Sequence, residues 1–398
     1  MFHCFTNTGV NVLKSGKVFA VLFAVMFFVM VGFGIIIPVL PFYAEELGAS
    51  SFQLGLLMSV YSLMQFIFSP MWGRVSDRIG RKPVLMLGIT GLSLSFFLMA
   101  FSSQLWMLFA ARIIGGFLSA ANMPTVMAYV ADVTTKENRG KGMGIVGAAV
   151  GLGFVFGPAI GGIFSKSSLS MPFLIAGFSS LITMLLVILV LKEPKKEETS
   201  DVDTQKPRKS MFAVLKTPIA PLFILQWFVS ISLAGLEATF AYFADDRAGL
   251  GTVELGYIFM IMGVAGAIVQ GGFVGIMTKR LGEGMVIKIG IIVSAIGFAL
   301  ILTVDSFTTA AIYLTIFGLG NGLIRPAVSA LLTKEATTGY GEITGFLSSF
   351  DSLGRIIGPS LGGLLFGLSI FLPYISGILL SLIALVIYYL YQRNVKLN

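Results

Sequence analysis

One cysteine and one histidine stand in 398 residues, and both, Cys4 and His3, fall within the first four positions. A lone cysteine excludes an internal disulfide and a thiolate metal cluster. A lone histidine in an N-terminal tail is poorly placed for catalysis or for metal binding. Charge is scarce as well, at 12% of residues. No G-x-x-x-x-G-K-[ST] phosphate loop and no H-E-x-x-H zinc motif occurs, so nothing supports a nucleotide or metal site. No loop is long enough to fold as a soluble domain, which leaves no place for an enzymatic head.

What the chain has in abundance is apolar length. Hydrophobic residues make up 56% of it and its mean hydropathy is +0.92. Runs of about twenty apolar residues recur from end to end, each able to cross a hydrocarbon core of roughly 30 Å. Backbone groups inside lipid must bond within their own segment, so these runs are helices. The pattern predicts an all-α membrane protein with twelve spans, at about 18–43, 52–73, 83–101, 105–130, 142–164, 171–191, 219–243, 252–276, 285–304, 307–332, 342–366 and 371–391. The first follows Lys14 and Lys17 like a signal peptide, but its apolar core is too long for one, so it reads as an uncleaved span.

The net charge of +8 raises the question of nucleic acid or anionic lipid. Its distribution answers with topology. All basic residues fall at one side of the spans except Lys166 and Arg247 on the other side and Arg112, Arg325 and Arg355 within spans. That bias puts both termini in the cytoplasm of a multi-pass protein of the cell membrane. The lipid bilayer is then the partner, nucleic acid is not, and a monomer is expected.

Residues 192–218 are charged, contain prolines and have few large apolar side chains, so they read as a solvated linker. This gives a tail at 1–17, six-helix halves at 18–191 and 219–391, and a tail at 392–398. The halves are copies. Gly73…Arg78-Ile79-Gly80…Val84…Gly88 returns as Gly275…Arg280-Leu281-Gly282…Val286…Gly290. Gly153, Gly157 and Gly161, with Pro158 and Gly162, return in span 11 as Gly354, Gly358 and Gly362 with Pro359 and Gly363. Phe42-Tyr43-Ala44-Glu45-Glu46 is echoed by Tyr242-Phe243-Ala244-Asp245-Asp246. Six spans bring the chain back to the same side, so the repeats are parallel.

Gly73-Arg74-Val75-Ser76-Asp77-Arg78-Ile79-Gly80-Arg81-Lys82 sits between spans 2 and 3. It reads as a tight, water-facing turn. A topology anchor would need only its bases; its two glycines and its acid suggest a moving part. With two halves of six spans and a charged linker, this decapeptide resembles that of the major facilitator superfamily. Arg112 followed by Gly115-Gly116 is similar to an intramembrane arginine motif of that family, and GLGFVFGPAIGG in span 5 resembles the signature of its antiporters. LAGLEATFAYFADD and GNGLIRPAV, in spans 7 and 10, resemble the multidrug:proton antiporters of the NorA/Bmr type.

The resemblance implies secondary transport by alternating access: export of amphipathic, often cationic small molecules in exchange for protons, driven by the proton gradient with no cofactor. Efflux of a metabolite, sugar or lipid precursor is the alternative within transport, and a membrane sensor that has lost transport is a third reading. The glycine ladders open smooth faces for close helix packing, and the resemblance places them at the contact between halves. Charges within spans are costly and are functional candidates by default. Glu237 is the candidate proton carrier, because burial disfavours a carboxyl's charged form. Arg112 stays charged and would bias a neighbouring carboxylate or organise polar groups. Asp351 and Arg355 share a face of span 11 and can pair, with Arg325 of span 10 as competing partner. Relatives of the resembled type carry an acid three residues before the Arg-Pro of span 10, where this chain has Gly322. Asp351 is a substitute for it, or else a neutralised structural partner of Arg355.

For substrate contact the resemblance points to mid-span Phe33, Gln65, Asn122, Phe154 and Phe240, with Asn321 beside Gly322. Asp77 is absent from the second copy of the decapeptide, where Lys279 follows Thr278. It can cap a helix or reach the positive N-terminal end of span 11, and the resemblance favours a latch that holds the inner gate shut, formed with Gly73, Arg78, Gly80 and Arg81. Asp77→Asn is therefore expected to insert normally and to slow transport, measured as dye flux per inserted molecule; wild-type flux would reduce the loop to an anchor.

Overall fold

A computed structural model of the protein describes residues 6–135, 138–194, 217–335 and 340–397. Among them every regular element is helical. Eleven segments are long and apolar enough to cross a bilayer by length and composition, and the helix Tyr340–Leu368 stands at the place of span 11. Most of the expected linker, 195–216, lies outside the described residues, as do Cys4, His3 and Lys136.

Span 1 is the helix Thr6–Glu46, so helix begins well inside the expected tail. Span 2 runs Ser51–Ile79 and span 3 Arg81–Ala100. The decapeptide is therefore no loop: its first seven residues are the last turns of span 2. One residue, Gly80, makes the whole turn, at φ 109° and ψ 159°. That backbone region is closed to side chains with a Cβ. Gly282 repeats it between spans 8 and 9, at φ 79° and ψ 155°. The remaining spans are Arg139–Ser165, Met171–Val190, Ala220–Ala248, Thr252–Leu281 (with a π turn at Val269–Phe273), Glu283–Ile301, Phe307–Glu335, Tyr340–Leu368 and Leu372–Leu397.

Span 4, expected as one helix, is broken into Leu105–Ser119 and Asn122–Val133. Pro124 has no N–H, so the Ala120 carbonyl loses its helical donor. The Ala121 amide turns to Leu118 O (3.2 Å), which also releases the Phe117 carbonyl. Span 2 replaces both donors: Trp72 Nε1 donates to Phe117 O at 2.7 Å and Ser69 Oγ to Ala120 O at 3.3 Å. The indole and the Phe68 ring pack on Phe117, with centroids 5.5 and 4.7 Å away. Broken helices survive in a membrane where neighbours supply the missing bonds.

The chain divides into two compact units. One holds Met1–Ile36 and Met64–Val202, the other Ile37–Leu63 and Asp203–Asn398. Spans 1 and 2 thus contribute to both. In the first unit span 3 packs on spans 4 and 6, and a Cβ at Gly88 would lie 2.3 Å from the Asn122 side chain. In the second, span 9 packs on span 10 and span 7 on span 11. The repeat-equivalent Gly290 brings its helix so close to span 10 that a Cβ would lie 2.9 Å from Gly320 O. The core of this unit is built from residues such as Phe223, Ile287, Val328, Leu347 and Phe350. Phe178, Ile182, Leu185 and Leu189 form an exposed apolar stripe along span 6, a face suited to hydrocarbon.

Trp72→Phe keeps an aromatic ring and removes the bond to the broken helix. It is expected to cost about 1–2 kcal/mol, read as a lower thermal unfolding midpoint in detergent than the wild type.

Candidate transport and coupling site

Spans 7 and 11 meet through small residues. A Cβ at Gly354 would lie 2.4 Å from Ser230 Cβ, one at Gly358 2.5 Å from Ile231 O, and one at Gly362 3.0 Å from the Gly235 Cα. The second ladder therefore faces span 7 of its own half. The first behaves alike: a Cβ at Gly153 would lie 2.5 Å from Met30 Cβ and one at Gly157 2.7 Å from Val31 O, both in span 1, and Gly161 is buried in the same helix. The three-glycine faces are thus filled within each half by spans 1 and 7, while Gly363, beside the second ladder, turns to span 2, where a Cβ would lie 2.2 Å from Ser51 O.

With the backbones this close, polar side chains of the two helices interlock. Asp351 accepts hydrogen bonds from Gln226 Nε2 (2.8 Å) and Ser230 Oγ (2.6 Å) at one oxygen. Its other oxygen lies 2.9 Å from Arg325 Nη2 of span 10, an ion pair without hydrogen-bond alignment. Arg355 Nη1 reaches Glu237 at 3.4 Å. The ion pair with Asp351 is thus made by Arg325, the competing partner, while Arg355, one turn along, extends to Glu237. Both carboxylates are covered, with side chains 8% and 12% exposed, whereas Arg355 is 35% and Arg325 59% exposed. Arg112 is buried in span 4.

The expected substrate residues separate. Phe33 and Phe154 meet edge to face, centroids 5.5 Å apart, and both are half-buried. Gln65 Nε2 lies 3.5 Å from Ser119 Oγ. Asn321 is half-buried, beside Phe228, Ser232 and Ser294. Asn122 and Phe240 are different: the first is 1% exposed behind Gly88 and the second 0% exposed against Phe259. A ligand reaches neither without displacing packed neighbours.

At the turn between spans 2 and 3, Arg81 pairs with Asp77 (2.5 Å) and Asp132 (2.8 Å) and donates to Ser76 Oγ at 2.7 Å. Gly73 lies within the helix, Arg78 in its exposed last turn. The cap of span 3 is not Asp77 but Glu193, just after span 6, whose two oxygens accept from the Arg81 and Lys82 amides at 2.5 and 2.8 Å. Lys82 Nζ to Ile188 O and Tyr129 OH to Lys192 O tie down the same segment. Sequence reasoning missed Glu193, although an acid among the lysines at the end of span 6 was a signal. It also missed Gln226 and Ser230, spaced i, i+4 on the Glu237 helix.

At the opposite helix ends, the 37–63 segment packs within the second unit. Tyr242 OH donates to Pro41 O (2.9 Å) and Ser51 Oγ to Gly363 O (3.0 Å). A Cβ at Gly55 would lie 2.2 Å from Pro359 O. Span 2 and span 11 are here in main-chain contact.

Membrane-length helices, an internal repeat and charged groups paired inside spans define a polytopic transport protein. A family model described as the Major Facilitator Superfamily matches residues 22–338 and 271–397, and the chain belongs to that family. Multidrug resistance protein 2 of Bacillus subtilis (strain 168) is 33% identical over 371 residues, 92% of each chain. Quinolone resistance protein NorA of Staphylococcus aureus (strain MSSA476) is 30% identical over 370 residues, covering 92% of this chain and 94% of its own. Among solved structures, a bacterial homologue of the human lysosomal transporter Spinster, inward-facing and occupied, superposes with a TM-score of 0.78 at 15% identity, covering 96% of this chain and 97% of that one. The nucleoside transporter NupG gives 0.75 at 16%, covering 94% and 98%. Those two likenesses concern the fold.

Glu193→Ala removes the acceptor for two helix amides. The Arg81 and Lys82 amides are then expected to exchange hydrogen at least about tenfold faster, with mid-span 3 unchanged, by mass spectrometry.

Proposed function

We propose that this protein exports amphipathic, cationic drugs across the cytoplasmic membrane in exchange for protons, by alternating access, with both termini in the cytoplasm. The observation that carries the reading is Glu237, a covered carboxylate within a membrane span and paired to Arg355 at 3.4 Å. Its support is the likeness, over nine-tenths of the chain, to proteins named for multidrug and quinolone resistance.

A carboxylate held away from water needs a positive partner or a proton. Arg355 supplies the first at rest. A drug cation competes for the same oxygens, and a proton removes the charge that either cation requires. Occupancy by proton and by drug is then mutually exclusive, which is the condition for exchange. The pair at 3.4 Å is longer than a well-formed charged hydrogen bond, so displacing Arg355 costs less than breaking the tighter set around Asp351. The aromatic pair Phe33–Phe154, half-buried, offers an adaptable apolar contact of the sort that suits varied ligands.

Everted vesicles with an acid interior should accumulate a cationic dye while releasing protons. Glu237→Gln is expected to lower that accumulation at least about tenfold with its unfolding midpoint kept near wild type. Dye movement indifferent to the gradient, or full activity in Glu237→Gln, overturns the proposal.

A further inference from the structure

Asp351 already has two neutral donors at one oxygen, Gln226 Nε2 at 2.8 Å and Ser230 Oγ at 2.6 Å. Arg325 of span 10 faces its other oxygen at 2.9 Å, an ion pair without an aligned hydrogen bond. A guanidinium carries five N–H donors. Among the described residues Arg325 makes no other ion pair or hydrogen bond, and its side chain is 59% exposed. Arg112, by contrast, is buried in span 4. Arg325 is thus a charge steadied at one edge, with donors left over.

Its depth gives that exposure a meaning. Span 10 ends at Glu335, ten positions beyond Arg325, about 15 Å along a helix. Lys334 and Glu283 pair at 2.5 Å where span 10 ends and span 9 begins. Arg325 is therefore about halfway into a hydrocarbon core of roughly 30 Å, too deep for a lipid headgroup. A guanidinium turned to acyl chains at that depth is costly, so its exposed side belongs to a face that water or a solute reaches.

What such a group selects is an acid. Guanidinium binds a carboxylate through two parallel N–H bonds, a geometry that a cation cannot use. The neighbours set a second requirement. Asp351 stands one helical turn from Arg355 on span 11, and Arg355 reaches Glu237 at 3.4 Å. From Arg325 to Glu237 the charges alternate, positive at one end of the row and negative at the other. Such a row suits a molecule that carries both signs.

We propose that Arg325 is a binding residue for the carboxylate of a zwitterionic amphiphile whose cationic group competes for Glu237. The substrate class then includes molecules with an acid as well as a base. The cationic half rests on the proton–drug reading of Glu237; the carboxylate contact at Arg325 does not.

The test compares a rhodamine that has a free carboxylate with its methyl ester, one fluorophore as zwitterion and as plain cation. Binding to the full-length protein in detergent, read by fluorescence polarisation, needs no gradient. Arg325→Gln is expected to weaken the acid at least about tenfold more than the ester. Arg325→Lys should fall between, because an ammonium keeps the charge and loses the two-pronged geometry. Asp351→Asn releases Arg325 from its ion pair and should tighten the acid relative to the ester. If Arg325→Gln does not fold, combining it with Asp351→Asn removes both members of the pair at once, and the same tenfold difference is required there. Equal losses for acid and ester, or a wild type that binds only the ester, overturn the proposal. Acid binding that depends on Arg325, in a wild type without proton-driven flux of the ester, rejects the transport reading and keeps the carboxylate site.

Discussion

Inside hydrocarbon no polar group of this chain can fall back on water, and most of the architecture follows from that. Regular structure is helical because only a helix bonds its own backbone along a single segment. Where Pro124 interrupts the pattern, the two carbonyls it frees are taken by Ser69 and Trp72. Charge obeys the same rule: Glu237 and Asp351 each face a guanidinium. Span 2 thus repairs a neighbour with side chains, and span 11 balances one with charge.

Glycine decides where those partners can meet. Long polar side chains bridge two helices only if the axes are near, and the Gly354–Gly358–Gly362 face sets spans 7 and 11 at main-chain distance. The ladder therefore positions the charged cluster although its residues carry no side chains. The same logic explains the paired Gly88 and Gly290 of the repeat, which admit the neighbouring helix at equivalent places in the two halves.

The spans, the repeat, the decapeptide and the intramembrane charges were all legible in the sequence, because each leaves a local mark: an apolar run, a fixed offset, a charge amid leucines. Partner choice was not. Asp351 and Arg355 are i, i+4, the sequence-local pairing, yet the Asp351 ion pair goes to Arg325, twenty-six positions earlier in the chain, and Arg355 reaches across to span 7. Phe240 reads as a cavity aromatic and is buried, since a phenylalanine in a span looks the same whether it meets lipid, ligand or core. Glu193 was hidden by its setting in a charged stretch that reads as solvent. Helix ends were misjudged where one glycine does the work of a loop, because charge density suggested a turn that the backbone makes in a single residue.

The contact of Gly55 with Pro359 O has a bearing on leakage. A seal made of side chains opens whenever a rotamer flips, on the scale of picoseconds to nanoseconds, and each opening lets a water chain and its protons slip through. Main chain has no such freedom while its helices hold. The contact of Gly55 with Pro359, with the Ser51 and Tyr242 bonds on either side of it, therefore parts only when a whole helix moves.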